Sequence, residues 1–304
     1  MTYCVGLLLN AGMVLLADTR TNAGVDNIAT YQKMFTFEEP GERVIVIMTA
    51  GSLSVSQNVI ARLQEDIADP DVAPENCIMG TKSMLTVAQI IGDKLADVSH
   101  DINQRMARMS QAASASMLVA GQRKGGVARM FHIYPEGNFI EAAADTPYLQ
   151  IGEHKYGKPL LDRVITPETS LEDGRKAVLL SMDSTLRSNL SVGMPLDLAI
   201  VRDGECKIAS QERIEADDPA FRAMSEAWSK ALRDSFGARF GLVIWLAAQG
   251  QRAMIGPVMK PPRFWQVYMK TCKIKRRCLW EEIQTAPVWN IARGGRAMSC
   301  SYLL

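Results

Sequence analysis

The sequence predicts an α+β protein whose sheets are mainly antiparallel and flanked by helices. Three observations carry that prediction. Short apolar runs rich in β-branched residues come in neighbouring groups, tight turns bearing glycine or aspartate join them, and the helical stretches between carry their apolar residues as one stripe. A tight turn reverses the chain, whereas a parallel pair needs a crossover of a dozen or more residues. A pair of sheets between helices therefore suits the order of elements better than a doubly wound parallel sheet.

The chain opens "MTYCVGLLLN", an alternating strand that turns at residues 10–12, and "MVLLAD" returns as a second strand to give a hairpin. "TNAGVDN" reads as a loop, and "KMFTF" as a short strand. "RVIVIMTA" is almost continuously apolar and β-branched, so it is expected to be buried on both faces up to Gly51. From Ser52 the period becomes helical. Leu53, Val55, Val59, Ile60, Leu63 and Ile67 form one stripe, with Ser52 placed to cap the helix. A second helix is expected over about 87–109, with Ile90, Ile91, Leu95, Val98 and Ile102 at helical spacing. Strands return at "SMLVAGQR", "ARMFHIYP" and "NFIEAA", separated by turns at 124–126 and 135–137. "SLEDGRKAVLLSMDSTLRS" begins with Ser170 three residues before Asp173, which resembles a capping box. Strands "PLDLAIVR" and "ECKIASQ" meet at Asp203 and Gly204, and a last helix runs from 219 to about 233.

With 304 residues, 47% of them hydrophobic, the chain has ample material for a core. Neither a secretory leader nor an apolar run of about 18 residues appears, so a cytoplasmic protein without membrane association is expected. The six cysteines show no C-x-x-C pair and no histidine at metal spacing, and read as buried or idle thiols. None of the three histidines, His100, His132 and His154, stands by a G-x-S-x-G motif. They are read as structural or solvent-facing. Neither a metal nor an organic cofactor is expected.

Charge divides the chain unevenly. Residues 236–304 hold eleven Lys or Arg against two acids, Glu281 and Glu282, and four of the five tryptophans, whereas the first 235 residues are net acidic. A domain over 1–235 is therefore expected, followed by a basic tail over 236–304 that keeps neither helical nor strand periodicity. The helix breaks off in "WSKALRDSF" where the composition changes, as a shifted reading frame would produce. "KTCKIKRRCLW" could touch nucleic acid or anionic lipid through its charge, yet it contains no recognised nucleic-acid module, and nucleic-acid binding ranks last among the readings.

Chemistry is suggested at the start of the chain. An initiator methionine is normally trimmed before a small residue, which would leave Thr2 with a free α-amine beside its own hydroxyl. That amine, of reference pKa about 7.7–8.0, can accept the hydroxyl proton, so one residue supplies nucleophile and base. Such a site needs a cation to keep the amine neutral and a carboxylate to hold the cation. Asp18 and Lys33, at strand ends, are candidates for an ion pair, and Gly51, where a buried strand meets a helix start, is a candidate oxyanion donor. By spacing alone the same set also arises by chance.

The residues "TYCVGLLLNAGMVLLADTRTNAG", then "KMF", then "RVIVIMTAGS" resemble the opening of proteasome-type β-subunits, and a looser resemblance continues to about residue 235. "TRTNAGVDNI" and "MSEAWSKAL" look closest to the bacterial Anbu branch. The resemblance implies an N-terminal nucleophile hydrolase fold, a four-layer αββα sandwich of two antiparallel sheets. It implies Thr2 as nucleophile, Asp18 and Lys33 as its charge pair, Gly51 as oxyanion donor, and Arg20 either near that network or as a plain surface arginine. Ser191 fits a supporting serine. The chain departs from the family at Ser188, where an aspartate is usual, and at Glu153, where a serine is usual, so Glu153 either substitutes for the aspartate or is a solvated loop acid. By position Thr21, Tyr31, Thr49 and Leu53 line the substrate pocket, favouring an uncharged side chain, although they would equally suit a core. The implied activity is a self-compartmentalised threonine peptidase acting on peptides or unfolded proteins. Its partners would be further copies of itself, in a ring or an open spiral through helices 52–67 and 87–109, and an ATPase unfoldase. A catalytically silent scaffold or peptide-binding cage is the alternative.

Overall fold

The computed structural model describes residues 2–22, 28–107 and 112–237, and the statements below concern those residues. All but the first two residues of the expected tail, and with them its frameshift reading, lie outside the described residues, as does the expected end of the second helix at Met109.

Three cores set the layers. β1 (Tyr3–Leu9), β2 (Gly12–Asp18), β10 (Tyr148–Gly152), β11 (Leu196–Arg202) and β12 (Ile208–Ile214) form one sheet in the order β10-β1-β2-β11-β12. β5 (Met34–Glu39), β6 (Arg43–Gly51), β7 (Ala115–Arg123), β8 (Arg129–Ile133) and β9 (Phe139–Glu141) form the other, in chain order. Every pairing in both sheets is antiparallel. Period two then divides each strand. Cys4, Met13, Leu15 and Ala17 of the first sheet meet Met48, Val46, Leu118 and Met130 of the second in a shared core. On its other side the first sheet presents Tyr3, Val5, Leu7, Val14 and Leu16 to α3 (Lys158–Val164) and α4 (Leu171–Ser188). The second sheet presents Ile45, Ile47, Val119 and Phe131 to α1 (Leu53–Ala68) and α2 (Met84–Met106). Phe221 and Met224 of α5 (Pro219–Gly237) join the first helical layer. This is the helix–sheet–sheet–helix sandwich that the resemblance implies. It also explains why the strands read as apolar on both faces. Gly6 lets the sheets approach, because a side chain there would meet Met130 Sδ at 2.6 Å.

Several elements differ from the expectation. β10 and α3 were not anticipated, nor was the small antiparallel ribbon of β3 (Arg20–Asn22) and β4 (Ile28–Thr30), which occupies part of the expected loop. α2 starts three residues before Val87, at Met84, because the Ser83 hydroxyl caps it by accepting the Thr86 N–H at 3.1 Å. Ser52 holds the N-cap position of α1, yet its hydroxyl makes no capping bond and meets the Ser54 hydroxyl at 3.0 Å instead. Ser170 does cap α4, accepting from the Asp173 N–H at 3.1 Å. Among the described residues no helix is long and apolar enough to cross a membrane.

Candidate active site

The hairpin between β1 and β2 has a two-residue turn, Asn10 and Ala11, so the start of one strand lies beside the end of the other. Cys4 pairs with Ala17, and one step further the Tyr3 N–H donates to Asp18 Oδ1 at 3.0 Å. On the opposite side β10 pairs Tyr3 with Gly152, and the Glu153 N–H donates to the Thr2 carbonyl at 2.7 Å. Gly152 has φ +81°, and a Cβ there would stand 1.9 Å from the Thr2 carbonyl oxygen. Only glycine permits this approach. Thr2 is thus fixed from both flanks and is 7% exposed.

Asp18 is fully buried and its carboxylate gathers three donors. Oδ1 accepts from Lys33 Nζ at 2.9 Å as well as from Tyr3, and Oδ2 accepts from the Gly193 N–H at 3.3 Å. Lys33, 4% exposed, also donates to the Arg20 carbonyl at 2.5 Å. Its backbone carbonyl receives the Thr49 N–H at 3.0 Å, which ties the entry of β5 to β6. Burial pushes the Asp18 carboxyl up from its ordinary range, against the Lys33 ammonium and the two backbone N–H groups that favour the anion. Behind the pair, burial and the Asp18 charge push the Cys4 thiol far above its ordinary value, so Cys4 is a packed, unreactive thiol. Cys206 is also buried and Cys77 partly so, and none of these three is in a disulfide.

Above the ion pair opens a cleft of about 270 Å³. Its walls include Thr2, Lys33, Thr21, Thr49, Gly51 and Leu53, with Ser56 from the second turn of α1. Six residues read from the sequence are therefore brought to one concavity, with Asp18 beneath it. Gly51 has φ +105°, and a Cβ there would meet the Ser114 carbonyl at 2.3 Å, so its backbone turns as only glycine can. α1 begins two residues later and directs its N-terminal end to the same place.

Other expected positions do not line the cleft. Tyr31 does not line the cleft and is 41% exposed, because its N–H, bonded to the Thr19 carbonyl, anchors the backbone while the side chain turns to solvent. Ser188 is the exposed last residue of α4. Ser191 is half-buried, its N–H donating to Asn189 Oδ1 at 2.9 Å. Glu153 is not a solvated acid. It is 6% exposed, and its carboxylate accepts from Asn189 Nδ2 at 3.0 Å, with Lys155 Nζ at 3.6 Å. Arg20 is not a free surface arginine either. It donates to the Leu190 carbonyl at 3.0 Å and lies across Gly193, where a Cβ would meet its Nε at 2.2 Å. Asn189, Gly193 and Gly152 are residues that sequence reasoning missed. The two glycines are visible as glycines, but only the folded contacts give them a reason. Among the described residues no group of three His, Cys, Asp or Glu side chains could hold a metal ion.

Comparison with known proteins agrees with this arrangement. The proteasome subunit family matches residues 2–201. Among solved structures, Anbu (ancestral beta-subunit) from Yersinia bercovieri is 42% identical over 78% of this chain and 97% of its own, with a TM-score of 0.72. The Anbu (Gly-1) mutant from Hyphomicrobium sp. strain MC1 is 45% identical over 78% of this chain and 97% of its own, with a TM-score of 0.72. The chain described as a helical assembly of the Anbu complex from Pseudomonas aeruginosa is 43% identical over 77% of this chain and 95% of its own, with a TM-score of 0.73. No curated protein matches. The match across both sheets and the site, together with these identities, places the chain in the proteasome subunit family, among relatives of Anbu.

Proposed function

We propose that the chain is an N-terminal threonine hydrolase that cleaves peptide bonds through Thr2 once Met1 has been removed. The observation that supports this most is the buried Asp18–Lys33 pair, 2.9 Å apart, at the floor of a cleft lined by Thr2, Lys33 and Gly51. A lysine with so little exposure needs its carboxylate partner, and its remaining charge favours the neutral form of a nearby amine and the anionic form of a nearby hydroxyl.

In this reading the Thr2 α-amine takes the proton from Oγ, directly or through a water, as Oγ attacks the peptide carbonyl carbon. The carbonyl oxygen becomes an oxyanion beside the Gly51 N–H and the N-terminal end of α1. The C–N bond then breaks, the leaving amine taking the proton from the Thr2 ammonium, and the acyl group remains as an ester on Oγ. Water attacks the ester with the Thr2 amine again as base, releasing the acid and restoring the hydroxyl. Thr21, Thr49 and Leu53 offer neutral walls, which suits an uncharged side chain on the acyl side. The chain works as a homo-oligomer, as the assembly named for the Pseudomonas aeruginosa relative suggests, with unfolded protein as substrate, an ATPase unfoldase as feeder and the cytoplasm as its place.

One observation favours the scaffold reading. Ser188, where the family usually has a carboxylate, is exposed at the end of α4 and carries no charge, which would slow turnover. Intact-mass analysis after exposure to a threonine-directed peptide electrophile decides between them. A single adduct that disappears in Thr2→Ala is expected of a live site. Protein lacking Met1 that gains no adduct would favour the scaffold.

A further inference from the structure

A second, larger cleft of about 540 Å³ shares Ala50 and Gly51 with the first. Gly51 therefore forms part of the wall of both, and Gly152, which presses on Thr2, also lines the larger one. Two of the chain's three histidines, His132 of β8 and His154 after β10, line it together with Lys158. Among the described residues that line it, no carboxylate is present. A cleft lined by two imidazoles and no acid favours a negative group once an imidazole takes up a proton.

We propose that this second cleft receives the part of the peptide that departs as the amine, and that its two imidazoles select an acidic side chain there. The proposal rests on the peptidase reading of the first cleft and adds a preference on the opposite side of the attacked bond.

The surroundings of His132 give the preference its pH dependence. Its ring packs at a tilt against Tyr134, just beyond the end of β8, centroid to centroid 4.3 Å, and His154 lies near it in the segment after β10. Tyr148 of β10 and Lys158 of α3 complete the ionisable lining, but the Lys158 ammonium is held by Asp162 Oδ1 at 2.7 Å and by the Tyr148 hydroxyl at 2.7 Å. Asp162 thus largely neutralises Lys158. β6, β7 and β9 contribute only uncharged residues to this wall. Burial first, and then the neighbouring His154, push the His132 imidazole below its ordinary value, so the empty cleft holds it neutral near neutral pH. A carboxylate in the cleft supplies the missing opposite charge and raises the imidazole again. Binding then takes up a proton, so affinity for an acidic peptide increases as pH falls through the His132 pKa of the complex.

The test uses the full chain carrying Thr2→Ala, which binds without turnover. Two fluorescein-labelled hexapeptides are compared by anisotropy, identical except for glutamate or glutamine on the leaving side. The glutamate peptide is expected to bind about tenfold tighter at about pH 5.5 than at about pH 7.5, and the glutamine peptide to change less than about twofold. His132→Gln should abolish the difference. The exposed His154→Gln, which disturbs no core, should reduce it. Equal affinities for the two peptides at both pH values would overturn the proposal, as would a pH dependence that survives in both variants. Selective binding of glutamate, together with no electrophile adduct on the chain that retains Thr2, would keep the acidic preference and remove only the hydrolytic reading.

Discussion

Replacing Lys33 by methionine removes the only side-chain cation that contacts Asp18 among the described residues, while preserving most of the packing volume. The carboxylate, fully buried, then keeps only the Tyr3 and Gly193 N–H groups. At 2.9 Å the attraction between the two charges amounts to about 6 kcal/mol gross for an effective dielectric of about 20. Desolvation of both ions offsets much of this, and breaking a buried pair by removing one partner costs about 3–5 kcal/mol net. Asp18→Asn should cost a similar amount, since it leaves the ammonium with the Arg20 carbonyl alone. The double variant no longer buries a charge. It should therefore be more stable than the sum of the two single losses by about 2–3 kcal/mol. Urea unfolding at one fixed protein concentration measures all four corners, the fixed concentration keeping any oligomer contribution constant. A loss below about 1 kcal/mol for Lys33→Met, or additivity within about 0.5 kcal/mol, would refute the reasoning that the two side chains form one buried unit.

Three further outcomes follow from the contacts around Thr2. Gly152→Ala places a methyl against the Thr2 carbonyl at a left-handed backbone position, so a stability loss of about 1–3 kcal/mol is expected, together with loss of electrophile labelling; unchanged labelling kinetics would contradict it. Glu153→Ala leaves the Asn189 amide without its acceptor and should cost about 1–3 kcal/mol in urea unfolding, while Glu153→Gln should restore most of it; equal losses for both variants would show that charge rather than the hydrogen bond matters. Ser188→Ala, at the exposed end of α4, should change stability by less than about 0.5 kcal/mol, and a larger shift in the melting temperature than this implies would mean that the side chain has a role its position does not suggest.

Much of the fold was legible because its strands are long and its turns tight. β6 reads as a β-branched run, and the hairpin of β1 and β2 reads as alternation around a two-residue turn. The elements that escaped are short. α3 has seven residues, too few for helical periodicity, and β3 and β4 have three each. β10 hides behind Pro147 in a stretch that also carries turn residues, although Tyr148, Leu149 and Ile151 are buried in it. In the site, Asp18, Lys33 and Gly51 were legible because a charge at the end of an apolar strand and a glycine before a helix are unusual choices. Tyr31 was misplaced because strand position says nothing of which way a side chain turns beyond the strand end. Asn189 and Gly193 escaped for a different reason. They reach Glu153 and Asp18 across 36 and 175 residues of sequence, and no local pattern announces such contacts.

The free amine of Thr2 is the element on which the proposed chemistry depends, and the mass of the N-terminal peptide of the purified chain tests it most directly. A peptide beginning at Thr2 is predicted. A chain that retains Met1 throughout would have an amide where the base is required, and would contradict the account.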